Sequence, residues 1–144
     1  MTSNARSHGW ARIVLALALL TPTLGFAEDV LERMAFHTQV WGKLTQDGAV
    51  HADNTPAPPL KIADKTYQKG LGMHAPSETI FELGGGFLKL EAEVGVQSQG
   101  NPAGTVEFKV LVDGKEVFSS GVMKDGDPAK PVSISLQGAQ ELQL

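Results

Sequence analysis

One stretch of alternating sequence in the middle of the chain most constrains the fold. From residue 88 to residue 96, apolar side chains occupy every second position, and charged residues or glycine lie between them; the apolar positions are Leu88, Leu90, Ala92, Val94 and Val96. A period of two places the two sets on opposite faces of a β-strand. The period returns in the segments 105–112 and 132–137. We therefore predict several half-buried strands rather than helices.

The turns between these segments indicate antiparallel pairing. Asp113-Gly114 separates two strand-like runs by two residues, which is typical of a type I′ hairpin because that turn needs positive φ at both central positions. We predict further strands over 35–41, 60–62, 79–83 and 141–144, one helical turn over 28–34, and loops over 42–59, 97–104 and 122–131. The pattern predicts an all-β, antiparallel β-sandwich.

The first 27 residues have the order of a secretory leader. Arg6 and Arg12 precede the apolar run IVLALALL, and the segment closes on small residues at Gly25 and Ala27. The run is shorter than the roughly 20 residues of a membrane-spanning helix. We predict a signal peptide helix over 1–27, a lead-in over 28–40, a β-sandwich domain over 41–144, and a secreted or periplasmic location.

Charge and cysteine content exclude several function classes. Cleavage after Ala27 removes two arginines and no acid, so the formal net charge changes from −4 to −6. A nucleic acid or an anionic membrane requires a basic patch, and the mature chain has none. Cysteine is absent, which excludes disulfides, thiolate metal sites and a cysteine nucleophile. We expect no nucleic-acid partner, and no membrane partner after cleavage.

The segment Tyr67–Ser77 collects residues with unusual backbone and polar side chains. Two glycines, Gly70 and Gly72, precede Pro76, so we predict a sharp turn that forms either a site or a structural corner. Residues 70–75 also satisfy the pattern G-x-G-x-x-A of dinucleotide sites. That pattern needs a following helix, whereas a proline and a predicted strand follow here.

Other chemistry has weaker support. Glu91 and Glu93 share a strand face and could act as a glycosidase pair, but they also fit a solvated polar face. Asp125 and Asp127 are weak candidates for a calcium site, and a plain turn is the alternative. The histidines lack the spacing of a zinc site.

His74 is the polar residue most strongly implicated in the segment. It either contacts a ligand or braces two loops, because a buried imidazole can donate one hydrogen bond and accept another. Trp41 and Tyr67 are candidates to stack on a pyranose ring, although Trp41 can equally cap the core. Lys69 and Ser77 are the polar candidates beside them.

Several motifs in order resemble the NPCBM/NEW2 domain, which is the carbohydrate-binding module family 51 type. The motifs are Pro59-Leu60-x-Ile62, Tyr67-x-Lys69-Gly70-Leu71-Gly72-x-His74-Ala75-x-Ser77, Phe87 with Val94-Gly95-Val96, Val106-x-Phe108-x-Val110, Asp113-Gly114-Lys115, Ser120-Gly121 and Gly138-Ala139-x-x-Leu142-x-Leu144. The resemblance covers roughly residues 41–144.

The resemblance implies a jelly-roll-like sandwich that binds galactose-type glycans, has no catalysis of its own, accompanies glycoside hydrolases and in some members carries a structural calcium. The family pattern also continues past Leu144, so the resemblance implies that the last strand is missing. Our leading hypothesis is a glycan-binding module that uses Trp41 or Tyr67 with Lys69, His74 and Ser77. The alternative is a structural or protein-interaction module whose open edge strand pairs with a partner.

Overall fold

The computed structural model describes residues 12–22, 30–51, 55–98 and 104–144. These ranges contain one 3-10 helix, Val30–Arg33, and twelve strands. The strands are β1 (Arg12–Pro22), β2 (Met34–Gln39), β3 (Thr45–Gln46), β4 (Leu60–Ile62), β5 (Lys65–Tyr67), β6 (Gly70–His74), β7 (Ser77–Glu82), β8 (Phe87–Val96), β9 (Thr105–Val112), β10 (Lys115–Lys124), β11 (Lys130–Ser135) and β12 (Glu141–Gln143).

The strands form two five-stranded antiparallel sheets and one hairpin. The first sheet has the order β11-β8-β1-β6-β3, and the second has the order β10-β9-β12-β7-β2. The hairpin pairs β4 with β5. Core side chains come from both five-stranded sheets, among them Phe81, Phe87, Leu90, Val110 and Leu142. The prediction of an all-β antiparallel sandwich is confirmed.

Of the three predicted alternating segments, β9 and its hairpin with β10 are confirmed in detail. In β9, Val106 and Val110 are buried while Thr105 and Lys109 are exposed. Asp113 and Gly114 have φ of 50° and 79° and join β9 to β10, as the type I′ prediction required. In β8 the alternation fails at its start, where Phe87 is 1% exposed and Leu88 is 46% exposed. A pairing irregularity opposite Phe87 shifts the inward position by one residue.

Three sequence predictions about local structure are wrong. The 122–131 segment is not wholly a loop, because β10 continues to Lys124 and β11 begins at Lys130. Most of Tyr67–Ser77 is strand rather than turn: β6 occupies Gly70–His74, and the chain bends on either side of it, at Gln68-Lys69 and at Ala75-Pro76. The apolar run predicted as a signal peptide helix lies in strand β1. A short continuous apolar run suits a buried strand as well as a helix, and here it pairs on both sides. Cleavage after Ala27 stays a prediction.

Gly72 is the residue of β6 that lets the loop before β4 cover the first sheet. A Cβ atom built at Gly72 would lie 2.2 Å from the carbonyl oxygen of Gly48 and 2.8 Å from the backbone of Ala49 and Val50. Both Ala49 and Val50 are buried. The loop therefore lies directly on the strand, and the glycine is needed for close approach rather than for a turn.

Gly72→Ala is expected to lower the free energy of unfolding by about 1–3 kcal/mol, because the new methyl group meets backbone atoms that cannot rotate away. Urea unfolding followed by circular dichroism measures the change. Gly86→Ala is the matched control, since its Cβ would meet its nearest atom, the oxygen of Leu83, at 3.5 Å. Equal unfolding midpoints for the two variants would contradict the close packing of the loop on Gly72.

Candidate functional site

A polar cluster joins the end of β2 to the end of β6 and to β7. The side-chain oxygen Oε1 of Gln39 accepts a hydrogen bond from the backbone N–H of His74 at 3.3 Å, and Nε2 of Gln39 donates to the carbonyl oxygen of Trp41 at 2.8 Å. His37 Nε2 lies 3.1 Å from the same Oε1, and His37 Nδ1 lies 2.7 Å from Oγ1 of Thr79. Gln39 therefore links three segments of the chain.

The contacts of His37 define its tautomer. Oε1 of Gln39 can only accept, so Nε2 of His37 carries the proton. Nδ1 then accepts from the hydroxyl group of Thr79, a residue that is fully buried. Every partner in this cluster is satisfied by neutral groups, and the cluster holds β2 against β7 in a fixed register.

Trp41 lies against His74 at this end of the sandwich. The centroids of the two rings are 5.6 Å apart, and their planes are inclined by 60°. His74 is only 2% exposed, whereas the indole of Trp41 is half-buried. Such edge-to-face contacts hold an aromatic ring in one orientation. The buried imidazole thus supports a partly exposed aromatic surface.

Lys69 lies at the opposite end of β6 from His74. Its Nζ lies 2.8 Å from Oδ2 of Asp47, and Oδ1 of Asp47 accepts from the backbone N–H of Gly70 at 3.1 Å. Lys69 and His74 are five positions apart along extended chain, which is about 16 Å. The sequence predicted Lys69 and His74 in one site. The structure does not bring these two residues together.

Tyr67 lies in the β4–β5 hairpin, away from Trp41. Its ring is buried with Leu60, Ile62 and Ala49, and the ammonium of Lys65 lies 4.8 Å from the ring centroid. Burial raises the pKa of Tyr67, and the neighbouring carboxylate of Glu93 raises it further. The phenol therefore stays neutral and acts as a packing group of the hairpin.

Ser77 lies beside a cavity of about 330 Å³ between the two sheets. Apolar side chains of both sheets line it, including Met73, Val94 and Leu144, and Glu78 and Gln143 add polar groups. Nε2 of Gln143 donates to Oε1 of Glu78 at 2.6 Å. Ser77 follows His74 by three positions, at the start of β7, but it faces this cavity.

The carboxylates considered for catalysis are held in ion pairs. Glu91 pairs with Lys89, and Oε2 of Glu93 lies 2.5 Å from Nζ of Lys65. The hydrogen bond from Lys65, and next the neighbouring hydroxyl group of Tyr67, lower the pKa of Glu93. A glycosidase acid needs a raised pKa, so the glycosidase hypothesis has no support in this geometry.

The loop with Asp125 and Asp127 is a hydrogen-bonded turn. Oδ2 of Asp127 accepts from the backbone N–H of Lys124 at 2.9 Å, and the N–H of Asp127 donates to the carbonyl of Lys124 at 3.1 Å. Among the residues that the structure describes, no three His, Asp or Glu side chains lie close enough to hold a metal ion. Within those same residues, no helix has the length and hydropathy to cross a membrane.

The sequence analysis missed Gln39, His37, Thr79 and Asp47. His37, Gln39 and Trp41 follow each other at every second position, and this spacing places them along one face of an extended segment. The cluster could therefore have been predicted in part from this spacing. Asp47 and Thr79 had none, because their partners lie 23 and 42 residues away in the sequence.

Gln39→Ala is expected to lower the free energy of unfolding by about 1–3 kcal/mol, because it leaves the N–H of His74 and the carbonyl of Trp41 without their partner. Thermal unfolding measures the loss. The matched control is Gln140→Ala, which removes only a local 3.2 Å bond to the oxygen of Gly138 on the surface. Similar melting temperatures for both variants would show that Gln39 does not brace the site.

Asp47→Asn is expected to reduce the acid sensitivity of the fold. Although burial alone raises the pKa of Asp47, the hydrogen bonds from Lys69 and Gly70 lower it below its ordinary value of 3.8. A depressed pKa gives stability above the ordinary value, and this stability disappears as the pH falls through the folded-state pKa. The difference in melting temperature between wild type and variant should therefore shrink between about pH 5 and pH 3.

The control for this titration is Asp64→Asn, a change of an exposed carboxylate in the β4–β5 turn. If Asp47→Asn and Asp64→Asn give parallel curves of melting temperature against pH, the pairing of Asp47 with Lys69 and Gly70 has no measurable weight.

Comparison with known proteins places this geometry in context. The sequence model of the NPCBM/NEW2 domain matches residues 27–144. A putative endo-alpha-N-acetylgalactosaminidase of Renibacterium salmoninarum is 34% identical over 105 residues, which are 72% of this chain and 7% of that protein. Alpha-1,3-galactosidase B of Akkermansia muciniphila is 36% identical over 77 residues, which are 52% of this chain and 10% of that protein. The chain thus spans a tenth or less of these relatives.

Solved structures share the sandwich. The CBM51 of Clostridium perfringens GH95 in complex with methyl-galactose is 27% identical, with a TM-score of 0.66, and the match covers 76% of this chain and 78% of that one. The CBM51-2 and INT domains of Clostridium perfringens ZmpB in complex with GlcNAc are 23% identical, with a TM-score of 0.69, and the match covers 76% of this chain and 24% of that one. The second likeness concerns the fold alone.

Proposed function

Because this chain belongs to the NPCBM/NEW2 domain family, we propose that its sandwich is a non-catalytic module that binds galactoside-type glycans at the end of the fold that carries Trp41. The similar CBM51 of Clostridium perfringens GH95 holds methyl-galactose. The matched regions of the two relatives lie within proteins named for galactose-type substrates. The sugar class of the proposal comes from these similarities, and the place of the site comes from the geometry of this chain.

The observation that carries the location is the half-buried indole of Trp41, which lies against the buried imidazole of His74. An aromatic ring offers its apolar face to the C–H side of a galactose ring, while its edge stays fixed by His74. A ring that is already fixed loses little conformational entropy on binding. A module with a small contact area for its sugar therefore keeps more of the favourable binding free energy.

The five residues predicted from the sequence divide into two roles in this proposal. Trp41 is the stacking surface, and His74 is a positioning residue, since only 2% of it is exposed and its ring faces the indole. Lys69 pairs with Asp47, and Tyr67 packs in the β4–β5 hairpin, so both lie outside the proposed sugar site. Ser77 faces the cavity between the sheets, so it also lies outside the proposed sugar site.

We also propose export of the chain and association with glycoside hydrolase domains. The order of basic, apolar and small residues over 1–27 supports export, and both curated relatives are named as glycosidases. A calcium ion remains a proposal from the family resemblance, without a donor set among the described side chains.

The second candidate function is protein interaction through an edge strand. β2 is the edge strand of the second sheet, and its Met34 and Phe36, with the following Val40, are 38%, 47% and 54% exposed. An edge strand with exposed apolar side chains is a template for pairing with another chain. A glycan array that includes galactosides, fucosides and N-acetylhexosamines separates the two functions, since only the first predicts a hit.

Trp41→Ala is expected to weaken binding of methyl-galactoside at least about tenfold, because a buried aromatic anchor typically contributes more than one factor of ten to affinity. Isothermal titration calorimetry measures the affinity. Phe36→Ala is the matched control, because it removes an exposed aromatic residue outside the cluster. Equal losses in the two variants, or no sugar binding by the wild type, would overturn the proposed site.

His74 needs a separate measurement because it acts through Trp41. His74→Ala is expected to lower the melting temperature and to weaken binding less than Trp41→Ala does. A His74 variant with wild-type stability and no sugar binding would instead make His74 a direct ligand contact.

A further inference from the structure

The first sheet contains a slot between β6 and β8 that is occupied by β1. In this slot Arg12–Ala16 runs antiparallel to β6, with Ile13 opposite Met73 and Leu15 opposite Leu71. On its other side, Ile13 lies opposite Val96 and Leu15 opposite Val94 of β8. Pairing with β8 resumes at Leu19 after an irregularity and continues to Pro22. Arg12–Ala16 is thus paired on both sides in the middle of the sheet, and Leu19–Pro22 is paired with β8 alone.

Neither β6 nor β8 can become an open edge strand without a cost in free energy. Residues 71–74 of β6 are all buried, and so are residues 94–96 of β8. The other neighbour of β6, β3, reaches only Leu71 and Gly72. An empty slot would leave the backbone groups of β6 and β8 that pair with β1 without their strand partners, and would open two strand edges within the first sheet.

Residues outside β1 cover both faces of the sheet beside the slot. Outside the sheet, Gly95 of β8 is covered by Ile62, whose nearest side-chain atom lies 2.4 Å from a Cβ built at that glycine. Inside, Met73 and Val94 line the cavity of about 330 Å³ between the sheets. The slot therefore has covered faces and two strand edges, which is the form of a site that accepts one extended strand.

The occupant of the slot is connected to the sandwich through residues 23–29, and the predicted cleavage after Ala27 falls in this connection. Cleavage would cut the covalent link and leave the backbone pairing of β1 in place. The hydrogen bonds of a β-ladder do not depend on the link, and the sequence RIVLALALLTP has no charged residue after Arg12.

We propose that the slot between β6 and β8 is a strand-acceptor site, and that Arg12–Pro22 is an insert held there by backbone pairing without need of its covalent link. The site binds an extended apolar segment antiparallel to both strands. Its ligand class is a peptide strand, which is distinct from the glycan proposed at Trp41.

The test uses the full chain with a specific protease recognition sequence inserted between residues 25 and 26. After purification the link is cut under native conditions, and the product is passed over a gel-filtration column. The expected result is that the N-terminal fragment elutes with the sandwich. Amide hydrogen exchange in the peptides that cover β6 and β8 should then stay as slow as in the uncut protein.

Exchange with a synthetic peptide of residues 12–22, labelled and carrying a lysine tail for solubility, tests the site itself. The labelled peptide should replace the fragment over time and should then co-elute with the sandwich. The matched control peptide has Leu15 replaced by proline, which removes a backbone donor in the paired region, and it should bind at least tenfold less. A peptide with Leu15→Val keeps the donor and should bind like the original.

Two results would overturn the proposal. One is release of the fragment on cutting, with unchanged amide protection of β6 and β8. The other is equal binding of the original and the proline-containing peptide, which would show that apolar adhesion rather than strand pairing retains the segment.

Discussion

The close packing of residues 48–50 on Gly72 is the contact on which the arrangement of this fold depends. The loop that begins after β2 has to cross the outer face of the first sheet, and at Gly72 it passes at a distance that excludes any side chain. Two hydrogen bonds between Asp47 and Gly70 fix the same crossing: the N–H of Asp47 donates to the carbonyl oxygen of Gly70, and the N–H of Gly70 donates to Oδ1 of Asp47. Because the loop is anchored there, its start is also fixed, and its start carries Trp41.

A single strand therefore serves both ends of the module. At its first residue, β6 is tied to Asp47, and at its last residue the backbone of His74 is tied to Gln39 and its ring to Trp41. The positions of the loop and of the proposed sugar site are set by the two ends of the same strand. This explains why the sequence from Tyr67 to Ser77 is so rich in special residues, although Gly70–His74 is strand and the chain bends only on either side of it. The glycines serve a strand that must be approached closely, and His74 serves as its polar terminus.

The fold could be predicted from the sequence because its signals are local. The alternation in β8 and β9 and the Asp113-Gly114 turn act over a few residues, and the structure confirms them. The candidate site was only partly predictable: Trp41 and His74 do meet, but Tyr67 and Lys69 belong to other contacts. Proximity along the chain suggested one site, whereas an extended strand carries residues 69 and 74 apart by about 16 Å. Glycine is equally ambiguous, because a sequence does not distinguish positive φ from close approach.

The apolar segment 12–22 shows why local signals can also have two readings. A continuous run of eight apolar residues satisfies a leader, and it satisfies a strand with neighbours on both sides. The two roles differ in what happens to the link at residues 23–29. A leader is separated from its domain, whereas a central strand normally stays covalently joined to it. A slot whose binding comes from ladder hydrogen bonds removes the conflict, because the sheet then requires a strand between β6 and β8 and not a particular covalent connection. The two strand edges, in residues 70–74 and 87–96, are then what the geometry of the sheet requires, and the strand that fills them is exchangeable.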